Sequence, residues 1–292
     1  MNALIVVNAY VKNKSQLSQA ERIAEELRKL GVCVDVNKNF NLARISDGKV
    51  LCNKYGFCVF LDKDRVAARL LERGGLKLFN CSAAIEVCDD KMLTNTALAN
   101  AGFPLPDCIY APLCYHPESK INEEFLKQTA QRLGFPLVAK INYGSLGAGV
   151  TLIKNFEQLA EYERANLTVP HFYQKFIDCG CGADTRVIVV GGKVVCSMQR
   201  RNEKDFRSNI ELGGRGTKAE CGKELAKLCT DIAKHLNLDY CGVDILTDTD
   251  GKTYVCEVNS NAFFAAAESV CGVNVARAYA EYMVGKVNGK IN

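Results

Sequence analysis

The segment running from Tyr240 to Asn259 constrains the fold more than any other, because apolar and polar residues alternate on both sides of Thr249-Asp250-Gly251. Such alternation marks half-buried strands, and Asp-Gly favours a two-residue type I′ turn. The spacing predicts two antiparallel strands, Tyr240–Thr247 and 252–259, closed by Asp250 and Gly251. Counting back sets Thr249 against Lys252 and Asp244 against Glu257. Directly opposed Cβ atoms lie about 4.5–5.5 Å apart, and Asn259, two residues beyond Glu257, shares their face. Val243, Ile245, Cys256 and Val258 form an apolar set on the other face, suited to a core.

Opposed carboxylates repel, and no lysine is expected beside this pair. A hard divalent cation would relieve the repulsion, since magnesium takes a few oxygen ligands together with substrate phosphates. Two solvated carboxylates on an open sheet face, or an acid pair sharing a proton, are the alternatives.

The rest of the chain surrounds this hairpin with several compact units. Its 292 residues exceed what one small domain needs. Strands and helices alternate over the first 85 or so residues, which favours a parallel sheet. Residues 4–7, 32–36 and 55–61 read as strands, and 65–71 as a short helix. Ser18 with Glu21 makes a capping-box pattern. Leu17, Ala20, Ala24 and Leu27 follow at helical spacing, and Gly31 stops that helix. Asp89 is expected to cap the next helix, Glu123–Leu133 to form another, and Leu137–Ile141 and Val150–Ile153 to flank a glycine-rich stretch. Beyond Phe172 the pattern becomes antiparallel. A hairpin turns at Gly191-Gly192, a helix spans 223–236, and a last helix spans 275–284.

Gly144-Ser145-Leu146-Gly147-Ala148-Gly149 follows Lys140 and leads into a strand. Glycines let backbone N–H groups approach phosphate oxygens. No Gly-Lys-Ser/Thr follows, so this is not a Walker loop, and a dinucleotide fingerprint would continue into a helix. A flap closing over a triphosphate fits, and a plain flexible hairpin is the alternative. Residues 200–209 are rich in arginine and asparagine, suited to carboxylates and phosphates. If Gly191-Gly192 is the turn, Arg186 faces Ser197. Alternation then puts Arg201 on the Arg186 face and turns Arg200 away, unless a bulge reverses the parity.

Composition excludes several classes. Net charge is +4, too small and dispersed to indicate nucleic acid. No apolar run reaches membrane-spanning length, and the first residues read as a strand and not as a signal peptide, so a cytoplasmic protein is expected. The fifteen cysteines are scattered without Cys-x-x-Cys spacing, which suits buried thiols in a reducing compartment. A redox role for Cys179 and Cys181 is the alternative. His116, His171 and His235 neighbour no candidate nucleophile, and His235 suits a helix C-terminus.

In this order the pieces resemble the ATP-grasp superfamily, specifically the RimK-type glutamate ligases. The resemblance rests on Asp90-Lys91, Lys140 with 144–150, Gln174-Lys175-Phe176-Ile177, Asp184-Thr185-Arg186, Arg200-Arg201, Asp205-Phe206-Arg207-Ser208-Asn209, Gly213-Gly214, Gly242-Val243-Asp244-Ile245-Leu246 and Glu257-Val258-Asn259, over roughly residues 88–285. Each motif is weak alone; the ordered set is specific. It implies an α/β (α+β) ATP-grasp fold. Residues 1–87 would form a small parallel α/β unit, 88–173 a subdomain with the flap, and 174–292 a subdomain with the metal and substrate site.

The resemblance also implies roles. Lys91 and Lys140 would hold ATP phosphates, with Ser145, Leu146 and Gly147 over them. Gln174, Lys175, Phe176 and Ile177 would meet adenine, and Asp184 the ribose. Asp244, Glu257 and Asn259 would bind two magnesium ions, with manganese as a substitute. Arg186, Arg200 and Lys140 would be catalytic. Arg186, Arg201, Arg207, Asn209 and Asn261 would face the substrate. The implied reaction converts a carboxylate to an acyl phosphate with release of ADP, after which an amine, glutamate or a similar amino acid, displaces phosphate. An ATP-binding regulatory protein without turnover is the alternative. Ser260-Asn261-Ala262-Phe263-Phe264 departs from the ribosomal-protein-modifying members, which usually carry a small residue, Ser, Pro and Gly there. It is similar to the branch making small amides, so small-molecule carboxylate and amino-acid substrates are expected, with no nucleic acid or membrane partner and with homo-oligomerisation left open.

Overall fold

The computed structural model describes residues 1–12, 14–40, 42, 54–180 and 182–290. The chain opens with β1 (Asn2–Val7), α1 (Lys14–Lys29), β2 (Cys33–Lys38), β3 (Phe57–Leu61), α2 (Arg65–Arg73) and β4 (Leu78–Phe79). These strands pair in the order β2-β1-β3-β4, all parallel, as the alternation predicts. β1 and β3 are apolar and almost wholly buried, because helices cover both faces of a parallel sheet. α1 starts at Lys14, so Ser18 lies inside the helix and caps nothing. Ala20, Ala24 and Leu27 are buried, whereas Leu17 sits on the exposed side. Gly31 ends the helix at φ +78, as expected.

Next come α3 (Ser82–Asp89) and α4 (Lys91–Asn100). A single helix capped by Asp89 is expected from sequence. Instead Asp89 closes α3, and Asp90 leaves helical geometry to cap α4, accepting from the N–H groups of Met92 and Leu93 at 2.8 and 3.1 Å. That cap makes Lys91 the first residue of α4.

The following elements are β5 (Cys108–Tyr110), α5 (Glu123–Leu133), β6 (Leu137–Ile141), β7 (Val150–Ile153), α6 (Phe156–Asn166) and β8 (His171–Lys175). An antiparallel sheet in the order β5-β8-β6-β7 packs on α5 and α6 through Leu126, Leu137, Leu159 and Tyr173.

The last part comprises β9 (Gly182–Val190), β10 (Lys193–Asn202), β11 (Arg215–Lys218), α7 (Lys223–His235), β12 (Tyr240–Thr247), β13 (Thr253–Asn259), α8 (Ala265–Cys271) and α9 (Val275–Val287). Its sheet runs β11-β10-β9-β12-β13, antiparallel throughout. Val187, Val189, Val243 and Ile245 face a core with Cys229 and Ile232 of α7. On the other face Ile188, Val190 and Tyr240 join a core shared with Ala276 and Tyr279 of α9, Ile23 and Leu27 of α1, and Ile5 of β1. The same face carries Asp184, Arg186, Arg200 and Asp244 where that cover ends.

Both hairpins depart from their expected register. After Gly191-Gly192 an extra residue, Val195, bulges out, so Ser197 faces Val187 and Met198 faces Arg186. The bulge reverses the parity: Arg200 opposes Asp184 on the Arg186 face, and Arg201 points to solvent. In the second hairpin the turn spans four residues, with Gly251 N–H on Asp248 O at 3.0 Å and Thr247 facing Thr253. The Asp248 carboxylate holds the N–H groups of Asp250 and Lys252, and Gly251 takes φ +82. The register is one residue off the two-residue count. A bulge at Cys256 then restores Asp244 opposite Glu257. It also turns Cys256 onto the carboxylate side, where the simple alternation had placed it in the core.

Candidate functional site

A cleft opens between the β6–β7 sheet and the five-stranded sheet. Its floor is a buried charge cluster. Arg186 on β9 faces Asp244 on β12 and binds it through Nε and Nη2, both at 2.7 Å. Arg200 holds Asp184 through Nε at 2.7 Å and through Nη2, and Nη2 also reaches Asp244 Oδ2 at 3.0 Å. Arg200, Asp244 and Asp184 are each less than one-tenth exposed. Burial alone would raise the Asp244 carboxyl, but the charges and hydrogen bonds of two guanidinium groups hold it below the ordinary range. Burial raises Asp184, which has Arg200 on one side and the Asp244 charge on the other. Asp184 accepts from Arg200 and from the Ser208 side chain.

Glu257 lies across from Asp244. The expectation that no lysine stands near this pair is not met: Lys91 Nζ is 3.4 Å from Glu257 Oε1 and donates to Gly144 O at 2.8 Å. Asn259 sits beside them, and one end of its side-chain amide is buried without a hydrogen-bond partner.

Lys140 carries the most telling charge. The residue is 7% exposed, and its ammonium donates to Gln174 Oε1 at 2.9 Å, with Cys256 Sγ at 3.7 Å. Among the described residues no carboxylate lies within ion-pair distance of it. A largely buried cation without a carboxylate partner is complementary to an anion, and Lys140 lines the cleft where an anion would enter. Burial raises the Cys256 thiol even with Lys140 adjacent, so sulfur does not supply that anion.

The glycine stretch forms the roof. Gly147 and Gly149 have φ of +77 and +71, and a Cβ on Gly149 would overlap Ile141. The tip of the flap meets the 205–212 loop: Arg207 Nη1 donates to Gly147 O at 3.0 Å while its other nitrogens hold Asp205. Ser145, Leu146, Gly147, Arg207 and Asn209 all line the cleft. Gln174, Phe176 and Ile177 line its inner wall; Lys175 is exposed, and its N–H is taken by Asp107 O.

A second chamber of about 1190 Å³ adjoins the first and shares Ser145, Leu146, Asn209 and Glu257 with it. Arg186, Asn259 and Asn261 line it, and Asn261 Oδ1 accepts from Gln19 of α1 at 3.1 Å. Arg201 lines neither chamber; its Nη2 reaches Gly180 O at 3.4 Å on the outer side.

Sequence reasoning missed residues from the first α/β unit that line this chamber, notably Asn8 after β1, Gln16 of α1 and Asp62 after β3. It also missed Asn80. That buried amide donates to Tyr240 O and Ser260 O at 2.8 and 2.7 Å and accepts from Asp239 and Tyr240 N–H. It thereby clamps the start of β12 to the end of β13 and fixes the Asp244–Glu257 pair. An isolated asparagine between Phe79 and Cys81 gives no sequence signal for this. Cys181 lies outside the described residues, and burial pushes the Cys179 thiol up to about 11, away from redox-active thiolate character. His235 contacts Ala97 O at 3.1 Å at the end of α7. Among the described residues no group of three or more His, Cys, Asp or Glu is placed to hold a metal.

Comparisons with known proteins agree with this geometry. The RimK-like ATP-grasp domain profile matches residues 88–283. Human N-acetylaspartylglutamate synthase A is 34% identical over 223 residues, covering 76% of this chain and 56% of that protein. Human beta-citrylglutamate synthase B is 35% identical over 226 residues, with the same coverage. The chain thus spans little more than half the length of these relatives. The solved ATP-grasp ligase PsnB, complexed with a phosphomimetic precursor variant, Mg and ADP, shares the fold, with TM-score 0.72 at 18% identity over 98% of each chain. No helix among the described residues is long and apolar enough to cross a membrane. With its profile match over most of its length and its two-chambered cleft, the chain belongs to the RimK-like ATP-grasp family of ligases.

Proposed function

We propose that this protein is an ATP-dependent carboxylate–amine ligase that joins a small carboxylic acid to glutamate or a similar amino acid, releasing ADP and phosphate through an acyl phosphate. The observation that carries the reading is Lys140: a buried lysine without a carboxylate partner among the described residues, lining the cleft that the glycine flap and Arg200 also line. A triphosphate is the anion that satisfies it. The relatives' names, N-acetylaspartylglutamate synthase and beta-citrylglutamate synthase, support a small acid and glutamate as the pair.

Magnesium fits the residues present. Asp244 and Glu257 are hard oxygen donors, and the unpartnered end of the Asn259 amide is the oxygen if that amide is turned about its axis. These three would hold the ion, which when bound offsets charge on the phosphoryl oxygens. Two carboxylates and an amide leave further positions to phosphates and water.

The chain's own groups do the rest. Lys140 and Lys91 bind the phosphates, and Phe176 and Ile177 wall the base. Arg186, already fixed by Asp244, faces the second chamber and receives the acid substrate, so its carboxylate oxygen meets the γ-phosphate. Fixed donors at the reacting oxygens lower the barrier without reorganisation. Arg207 and Asn209 close the flap and keep water from the acyl phosphate.

Nucleotide release measured with N-acetylaspartate or citrate, each with and without glutamate and other amino acids, tests this. ADP formation that needs both an acid and an amine supports it. AMP formation, or no turnover with any pair, contradicts it.

A further inference from the structure

The carboxyl ends of two adjacent parallel strands, β1 and β3, line the second chamber, and the end of β2 contacts them through Asn39. Asn8 follows β1, Asn39 follows β2 and Asp62 follows β3. In open parallel sheets, ligands bind outside the carboxyl ends of the strands. Asp62 is 8% exposed and lines the chamber opposite the ATP-grasp residues Arg186, Glu257 and Asn259.

Amides hold this carboxylate in place. It accepts from Asn39 Nδ2 at 2.7 Å, from Asn8 Nδ2 at 3.1 and 3.3 Å, and from Lys63 N–H at 2.7 Å. Among the described residues no cation lies within ion-pair distance of it. The neighbouring lysine, Lys63, directs its ammonium to Asp89 Oδ1 at 3.0 Å instead. A loop staple would need neither burial nor a position on the chamber wall. The N–H groups around Asp62 satisfy its oxygens without neutralising its charge, so the chamber wall presents a fixed anion to which a cationic ligand is complementary. It complements Lys140, a buried cation without an anion in the adjoining chamber.

We infer that Asp62 is the residue that binds the ammonium group of the amine substrate, so the N-terminal sheet, and not the ATP-grasp part, selects the nucleophile. This rests on the ligase reading above. Bound there, the ammonium gives up one proton to become the free amine. The amine nitrogen then forms a bond to the acyl carbon as the carbon–oxygen bond to phosphate breaks, and its second proton leaves with inorganic phosphate. Burial already raises the Asp62 carboxyl, which suits it to take the first proton.

Hydroxylamine provides the test, because it is a neutral nucleophile near neutral pH and needs no ammonium site. Wild type and Asp62→Asn are compared with N-acetylaspartate or citrate as the acid, ATP and magnesium, and with either glutamate or hydroxylamine as nucleophile. The expected result is a rise in KM for glutamate of about tenfold or more, with hydroxamate formation and KM for ATP within about twofold of wild type. Hydroxamate formation also reports that the variant is folded. Equal loss with both nucleophiles, or unchanged KM for glutamate, overturns the assignment. Failure of wild type to form hydroxamate or amide would instead count against the ligase reading itself.

Discussion

At the residue scale, Arg200 faces inward and Arg201 faces solvent. Arg200 bridges two buried carboxylates. Removing one partner of such a cluster leaves uncompensated charge, so Arg200→Met should lower unfolding free energy by about 3–5 kcal/mol and abolish turnover. Arg201→Met should change stability by no more than about 0.5 kcal/mol and leave turnover intact. Urea unfolding and ADP release measured on both variants distinguish the two positions. Asp244 adds a pH signature. Its folded pKa lies below the unfolded value, so the stabilisation is complete above about pH 4 and is lost as pH falls through the lower folded value. The stability deficit of Asp244→Asn should therefore be largest near neutrality and shrink at the acid end, as urea titrations across that range would report. Asp184 and Asp62 have the opposite sign: their folded values are raised, so ionisation opposes folding and acidification relieves it.

At the element scale, most segments were legible and their registers were not. The strands Tyr240–Thr247, Leu137–Ile141 and Val150–Ile153 and the helix Glu123–Leu133 follow from alternation, periodicity and glycine stops. Asp244 opposite Glu257 was read correctly, but two errors cancelled: the turn is longer than Asp-Gly alone suggests, and the bulge at Cys256 absorbs the difference. The bulge at Val195 had no such partner, and it swapped the faces of Arg200 and Arg201. Bulges insert a residue without altering composition, so side-chain alternation cannot reveal them. Asn80 and Asp62 act through contacts distant in sequence and carry no local motif. The flap supplies the prediction at this scale. Arg207 Nη1 on Gly147 O is one of its anchors to the opposite wall. Arg207→Ala should weaken ATP binding about tenfold and speed proteolysis within residues 144–149, with ATP restoring protection. Unchanged cleavage would show that the flap closes without it.

At the scale of the whole molecule, the N-terminal sheet is part of the machine. We propose the 1–87, 88–173 and 174–292 division as one of topology and not of independent folding. The reason is the core that joins Ile5, Ile23 and Leu27 to Ile188, Tyr240 and Tyr279. A chain lacking residues 1–87 should lose cooperative unfolding by calorimetry and bind ANS, because deletion strips one wall of that core. The β5-β8-β6-β7 sheet keeps its own core around Leu126 and Tyr173, so ATP bound in the cleft as proposed would bridge the two sides and should raise the melting temperature. In the proposed reading Lys140 meets the triphosphate in one chamber and Asp62 meets the amine in the other. The chemistry between them is what the central claim specifies. Its most direct test uses an acid substrate whose carboxylate carries heavy oxygen, with mass analysis of the phosphate released. Transfer of one labelled oxygen to inorganic phosphate, with ADP as the nucleotide product, is the predicted result; unlabelled phosphate, or label in AMP, would contradict it.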